Sequence, residues 1–194
     1  MERRSFLNLW LTGVGYIVLG NVMCLFATMG LTMFGKNLFT NVLGIIFAML
    51  IFFLLMFTVA WKDGTRERAL VRNGRVDGPL KYRWVLIGLA MFAVAIIPTV
   101  VLLLNVLFFP EADTLFFYKF VNGSAFPFVS TFIPVPELDK EVWIEAATTR
   151  QIDNMPIPFP VLMIAYYALI PAATHIGYSM GYNDTLNTDK IMYK

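Results

Sequence analysis

Cysteine occurs once in this chain, at Cys24, and histidine once, at His175. A lone cysteine excludes an intrachain disulfide, and one of each excludes a Cys/His zinc cluster. Charge is also scarce. Asp, Glu, Lys and Arg make up 14% of the 194 residues, against about 25% in soluble domains. The scarcity is concentrated in four stretches. Ser5–Gly35, Asn37–Trp61, Trp84–Pro110 and Asn154–Asn183 contain no Asp, Glu, Lys or Arg at all. No acid is therefore expected at depth to couple a substrate to an ion. No nucleotide-binding loop and no Ser-His pair in motif context occurs either, so no enzyme, cofactor or metal is expected. Nothing points to nucleic acid as a partner.

What the chain has is apolar length. Each of the four stretches is at least 25 residues and is dominated by Leu, Ile, Val, Phe, Met and Ala. A hydrocarbon core about 30 Å thick is crossed by about 20 apolar helical residues. The expected fold is an all-α membrane protein, a four-transmembrane-helix bundle in one integral membrane domain over 1–194. Helices are expected at about 6–34, 41–61, 84–109 and 158–181. The start Met1-Glu-Arg-Arg suggests a signal peptide, but a cleaved apolar region is only about 7–15 residues long. An uncleaved first helix is expected.

Charge sets the expected orientation. The segment 62–83 holds seven Lys/Arg (62, 66, 68, 72, 75, 81, 83) against three acids (63, 67, 77). The segment 111–153 reverses this, with seven acids (111, 113, 137, 139, 141, 145, 153) against three bases (119, 140, 150). Lys and Arg near helix ends stay on the cytoplasmic side. The basic loop and both termini are therefore expected inside and the acidic segment outside, in a bacterial cytoplasmic membrane. Trp10, Trp61 and Trp84 fall near the expected inner interface, where amphipathic rings are favoured.

The outer segment 110–157 is rich in aromatics, and a small extracytoplasmic cap is expected there. Asn122-Gly123 can turn a β-hairpin between 117–121 and 125–129, and 137–152 can form an amphipathic helix. Asn73-Gly74 gives a second hairpin signal, in the basic loop.

Small residues mark packing faces. These are Gly13, Gly20 and Ala27 in the first helix, and Ala173, Gly177 and Gly181 in the fourth. The second helix is nearly all bulky and is expected to be lipid-facing or purely structural, with no chemistry to offer. Pro98 and Pro171 should bend the third and fourth helices. With Asn21, Asn105, Tyr167 and His175 they form the candidate intramembrane polar site. Asn21 suits either an interhelical hydrogen bond or a ligand contact. His175 suits either a proton relay or a bond to Thr174, Tyr178 or a carbonyl. Trp61-x-x-Gly64-x-x-Glu67 and Tyr178-x-x-Gly181-x-x-Asp184 share a pattern, with each glycine expected as a helix C-cap. The lipid bilayer and another membrane protein, or further copies of this chain, are the expected partners. The expected function is a non-catalytic subunit, accessory or scaffold of a larger membrane assembly. The alternative is a small oligomeric transporter or channel with a path near the Pro98 and Pro171 kinks.

Overall fold

The computed structural model describes residues 3–33, 37–80, 82–109, 114–133, 155–156 and 158–183. The helices are α1 (Phe6–Thr32), α2 (Leu38–Arg72), α3 (Arg83–Ala95), α4 (Ile97–Phe108), α5 (Leu115–Val121), α6 (Phe126–Phe132), α7 (Pro158–Tyr167) and α8 (Ile170–Asn183). A 3-10 turn, Gly123–Ala125, joins α5 to α6. Among the described residues there is no strand. Four helical stretches are long and apolar enough to cross a membrane: Phe6–Leu31, Leu38–Arg72, Arg83–Phe108 and Pro158–Asn183.

The helix boundaries follow local chemistry. Asn37 caps α2, its Oδ1 accepting from the Thr40 amide at 2.8 Å while the Asn37 amide donates to Thr40 Oγ1 at 3.1 Å. This reciprocal pairing satisfies two N–H groups at the helix start. At the other end α2 runs three turns past Trp61, through the segment expected as a loop. It stops in a Schellman arrangement, with the Gly74 amide on the Val71 carbonyl and the Arg75 amide on the Leu70 carbonyl, each at 3.0 Å. Gly74 has φ +66°, the left-handed conformation that glycine adopts without Cβ cost. The hairpin expected at Asn73-Gly74 is thus a helix end. The reason is that Leu70 extends the buried face of α2 and is only 5% exposed.

The helical run is interrupted before each of the two prolines. The third stretch breaks at Ile96 and the fourth at residues 168–169, each in the turn before Pro98 or Pro171. A helical proline lacks the N–H donor and crowds the carbonyl four residues back.

The structure divides into two compact units. The first contains 1–19, 53–95 and 167–194, and the second 20–52 and 96–166.

In the first unit, α2 and α8 run parallel and meet backbone to backbone. A Cβ at Gly177 would overlap the Phe57 carbonyl, and one at Gly181 the Trp61 carbonyl. Conversely, a Cβ at Gly64 would overlap the Tyr178 carbonyl. Gly64 and Gly181 were expected to end helices, yet both lie inside them. The shared aromatic-x-x-Gly pattern is a reciprocal contact in which each glycine seats the aromatic residue's carbonyl of the other helix. The same unit packs Gly13 on the Met91 side chain, and Gly88 on Thr174 and Pro171. In this unit α2 presents Met56, Ala60, Asp63, Gly64, Glu67 and Leu70 as one buried face.

In the second unit, α5, the 3-10 turn and α6 form a helical hairpin where a β-hairpin was expected. Asn122 has φ −106°, so the left-handed conformation of a type I′ turn is not used. Gly123 instead serves close approach, because a Cβ there would overlap the Asn21 carbonyl and lie 2.8 Å from Leu25 Cβ. The amphipathic helix expected at 137–152 lies outside the described residues.

Adding a methyl group to a filled backbone contact typically costs 1–3 kcal/mol. Gly181→Ala and Gly64→Ala should each destabilise the protein by about 1–3 kcal/mol. Gly15→Ala, with nothing within 4 Å of the added carbon, should be neutral or stabilising by up to about 1 kcal/mol. Thermal unfolding followed by circular dichroism in detergent checks both, and equal effects at the three sites would refute the crossing.

Candidate functional site

Two acids one helical turn apart on α2 organise the polar chemistry of the first unit. Asp63 is 6% exposed and Glu67 only 2%. Buried carboxylates persist only when paired, and both are. Trp84 Nε1 donates to Asp63 Oδ2 at 3.0 Å. Tyr178 Oη donates to Glu67 Oε2 at 2.8 Å. Arg3 Nη2 stands 2.6 Å from Glu67 Oε1 and donates to the Gly78 carbonyl at 2.5 Å. Arg83, at the start of α3, donates to the Arg4 carbonyl. The chain before α1 is thereby tied to α2, to the segment after α2 and to α3. These acids were not expected to be buried. Both acids fall just beyond the charge-free stretch, on the part of α2 that stays helical. Trp84 is fully buried as a donor to Asp63, whereas Trp10 and Trp61 are half-buried.

Beside this cluster, Pro79, His175, Tyr178, Ser179, Tyr182 and Asn183 line a hollow of about 280 Å³. The Tyr178 and Tyr182 rings stack over it at 6.2 Å and 26°. His175 Nδ1 is buried and has no hydrogen-bond partner among the described residues. The partners considered for it are engaged elsewhere. Thr174 Oγ1 donates to the Ile170 carbonyl at 3.0 Å, and Tyr178 is spent on Glu67. A second, more open hollow of about 490 Å³ is lined by Pro79, Leu80, Tyr82, Arg83 and Leu86.

In the second unit two asparagines peg the helical hairpin. Asn21 Oδ1 accepts from the Ser124 amide at 3.1 Å and from Ser124 Oγ at 2.7 Å. Asn21 lies eleven residues before the end of α1, about 16 Å along the axis at 1.5 Å per residue. The turn thus touches α1 far from its end. Asn105 bridges the corner between α4 and α5. Its Nδ2 donates to the Phe109 carbonyl at 2.7 Å, and its Oδ1 accepts from Thr114 Oγ1 at 2.7 Å. Tyr118 and Thr99 hydroxyls are 3.3 Å apart, and the Tyr118 ring meets Phe159 edge-on at 6.3 Å. Burial pushes the Tyr118 hydroxyl up to about 12, with hydrogen bonds from Thr99 and Asn122 opposing the rise. It therefore stays neutral across the physiological range. Cys24 is fully buried and donates to the Ala48 carbonyl at 3.4 Å, an inert packing thiol.

Of the six candidate site residues, Asn21, Pro98 and Asn105 belong to the second unit and Tyr167, Pro171 and His175 to the first. Asn21 and Asn105 are structural pegs, Tyr167 is fully buried, and Pro171 packs against Gly88. His175 lines the 280 Å³ hollow. Among the packing residues, Gly13, Gly20, Gly177 and Gly181 are buried, whereas Ala27 and Ala173 are half-buried. Sequence reasoning missed Arg3, Asp63, Glu67 and Trp84. The available signal was the spacing Met56, Ala60, Asp63/Gly64, Glu67, Leu70, which continues a helical stripe through the charged segment. Among the described residues no three His, Cys, Asp or Glu side chains converge as a metal site.

No known protein family, curated protein or solved structure matches this chain.

Removing a donor from a buried acid costs about 1–3 kcal/mol. Trp84→Phe should therefore destabilise by about 1–3 kcal/mol, while Tyr82→Phe, at a 76% exposed position, should change stability by less than about 0.5 kcal/mol. Chemical unfolding in detergent measures both, and equal small effects would show that Asp63 does not depend on the indole.

Proposed function

We propose that the chain is an integral membrane protein of the cytoplasmic membrane, with its basic segment 62–83 inside. It acts there as a non-catalytic subunit or scaffold of a larger membrane assembly. One observation carries the reading. The polar side chains within the helices are turned to partners inside the chain: Asn21 to Ser124, Asn105 to Thr114 and Phe109, Tyr178 to Glu67, Trp84 to Asp63. Groups spent in this way fix geometry and leave little for handling a solute. The membrane reading also accounts for the hairpin, since irregular backbone at depth is tolerated when it is packed against protein. In the second unit Phe108, Phe109, Phe116, Phe117 and Phe120 are 65–70% exposed, aromatic surface suited to lipid or a membrane partner.

A small oligomeric transporter or channel is the second reading. The unpartnered Nδ1 of His175 beside its hollow favours it, and the breaks before Pro98 and Pro171 supply freed backbone groups.

Native mass spectrometry of the tagged full chain, extracted gently from its own membrane, tests the first reading. A stoichiometric second protein is expected. A homo-oligomer alone would refute the subunit reading and support transport, which then requires solute flux into liposomes that His175→Ala abolishes.

A further inference from the structure

Arg83 is the last charged residue before the apolar run 84–110, so on the membrane reading it stands at the membrane–water boundary. Its guanidinium donates to the Arg4 carbonyl and forms no ion pair among the described residues. Arg4, likewise, has none, in contrast to its neighbour Arg3, which Glu67 neutralises. The two buried acids of the unit are already committed, Asp63 to Trp84 and Glu67 to Arg3 and Tyr178. Among the described residues neither Arg4 nor Arg83 has an acidic partner, and the hydrogen bond to the Arg4 carbonyl joins the two residues.

The surroundings of Arg83 are apolar. It shares the 490 Å³ hollow with Pro79, Leu80, Tyr82 and Leu86, and Leu80, Tyr82 and Leu86 are 45%, 76% and 57% exposed. A guanidinium fork matches the oxygens of a phosphate. A free phosphate ion would satisfy the arginine but leave Leu80 and Leu86 in water. An amphiphile covers both. A zwitterionic head brings its own cation against Arg4 and Arg83, whereas a net anionic head does not.

We propose that this hollow is a binding site for an anionic phospholipid of the cytoplasmic leaflet. Arg83 holds the phosphate, Arg4 adds to the attraction, and an acyl chain lies along Leu80, Tyr82 and Leu86. The site rests on the membrane reading above and gives that reading a specific lipid partner.

The test uses the full chain in nanodiscs of phosphatidylcholine containing a minor fraction of phosphatidylglycerol, with retained lipid counted by native mass spectrometry. The wild type is expected to retain phosphatidylglycerol preferentially. Arg83→Gln should weaken retention about fivefold, the effect of one arginine near an anionic lipid surface. Leu86→Trp keeps the arginine and fills the hollow, and it should weaken retention as well even if Arg83→Gln perturbs the fold. Arg72→Gln, at the exposed end of α2, should leave retention unchanged. Inorganic phosphate at constant ionic strength should not displace the lipid. Equal retention by wild type, Arg83→Gln and Leu86→Trp overturns the site, as does displacement by inorganic phosphate. Recovery of the protein in the soluble fraction of cells overturns the membrane reading itself. Recovery in membranes without phosphatidylglycerol preference overturns the site alone.

Discussion

The backbone-to-backbone meeting of α2 and α8 is the constraint on which the first unit depends. Gly64, Gly177 and Gly181 each occupy a place where a Cβ would strike a main-chain carbonyl. Such closeness increases the dispersion contact between the two helices. It also sets the reach of side chains. With Tyr178 held against Gly64, its hydroxyl arrives at Glu67, one turn further along α2. The glycine spacing and the buried acid are therefore parts of one arrangement, because a wider crossing would leave the carboxylate without its tyrosine.

The second unit solves a different problem with the same economy of polar groups. A helical hairpin of two seven-residue helices is too short to be stable by propensity. Its stability must come from burial and from anchored ends. Phe128 packs against Tyr166 at 5.1 Å, while Ala125 and Val129 are fully buried. Asn21 holds the turn between the helices and Asn105 holds the entry to α5. One side-chain oxygen accepts two hydrogen bonds at each place, so two residues from the long helices satisfy four donors of the hairpin.

The four apolar stretches, the proline breaks and the small-residue faces were legible in the sequence because each follows from one property, whether length, a missing N–H or a missing Cβ. The end of α2 was not legible. Lys62, Arg66 and Arg68 marked the segment as polar, whereas its helical stripe was carried by Asp63, Glu67 and Leu70. Two acids in that stripe look like surface until their partners are known, and those partners, Trp84, Tyr178 and Arg3, come from distant parts of the chain. Asn122-Gly123 misled for a related reason. The dipeptide favours a hairpin turn locally, but the glycine was needed for contact with α1, a demand of packing rather than of backbone conformation.

The Arg3–Glu67 pair fixes more than local stability. Breaking such a pair costs far more than removing it whole, so the ion pair between Arg3 and Glu67 holds the chain before α1 to the end of α2. Arg3 also reaches Gly78, and Arg83 reaches the Arg4 carbonyl. Within the first unit, α1 and α3 must therefore start at the end where α2 and α8 finish. These contacts come from segments far apart in sequence, and none of them can form unless the helix ends of the unit lie side by side. The two acids that the apolar composition gave no reason to expect are therefore what gather those ends, Glu67 through Arg3 and Tyr178 and Asp63 through Trp84.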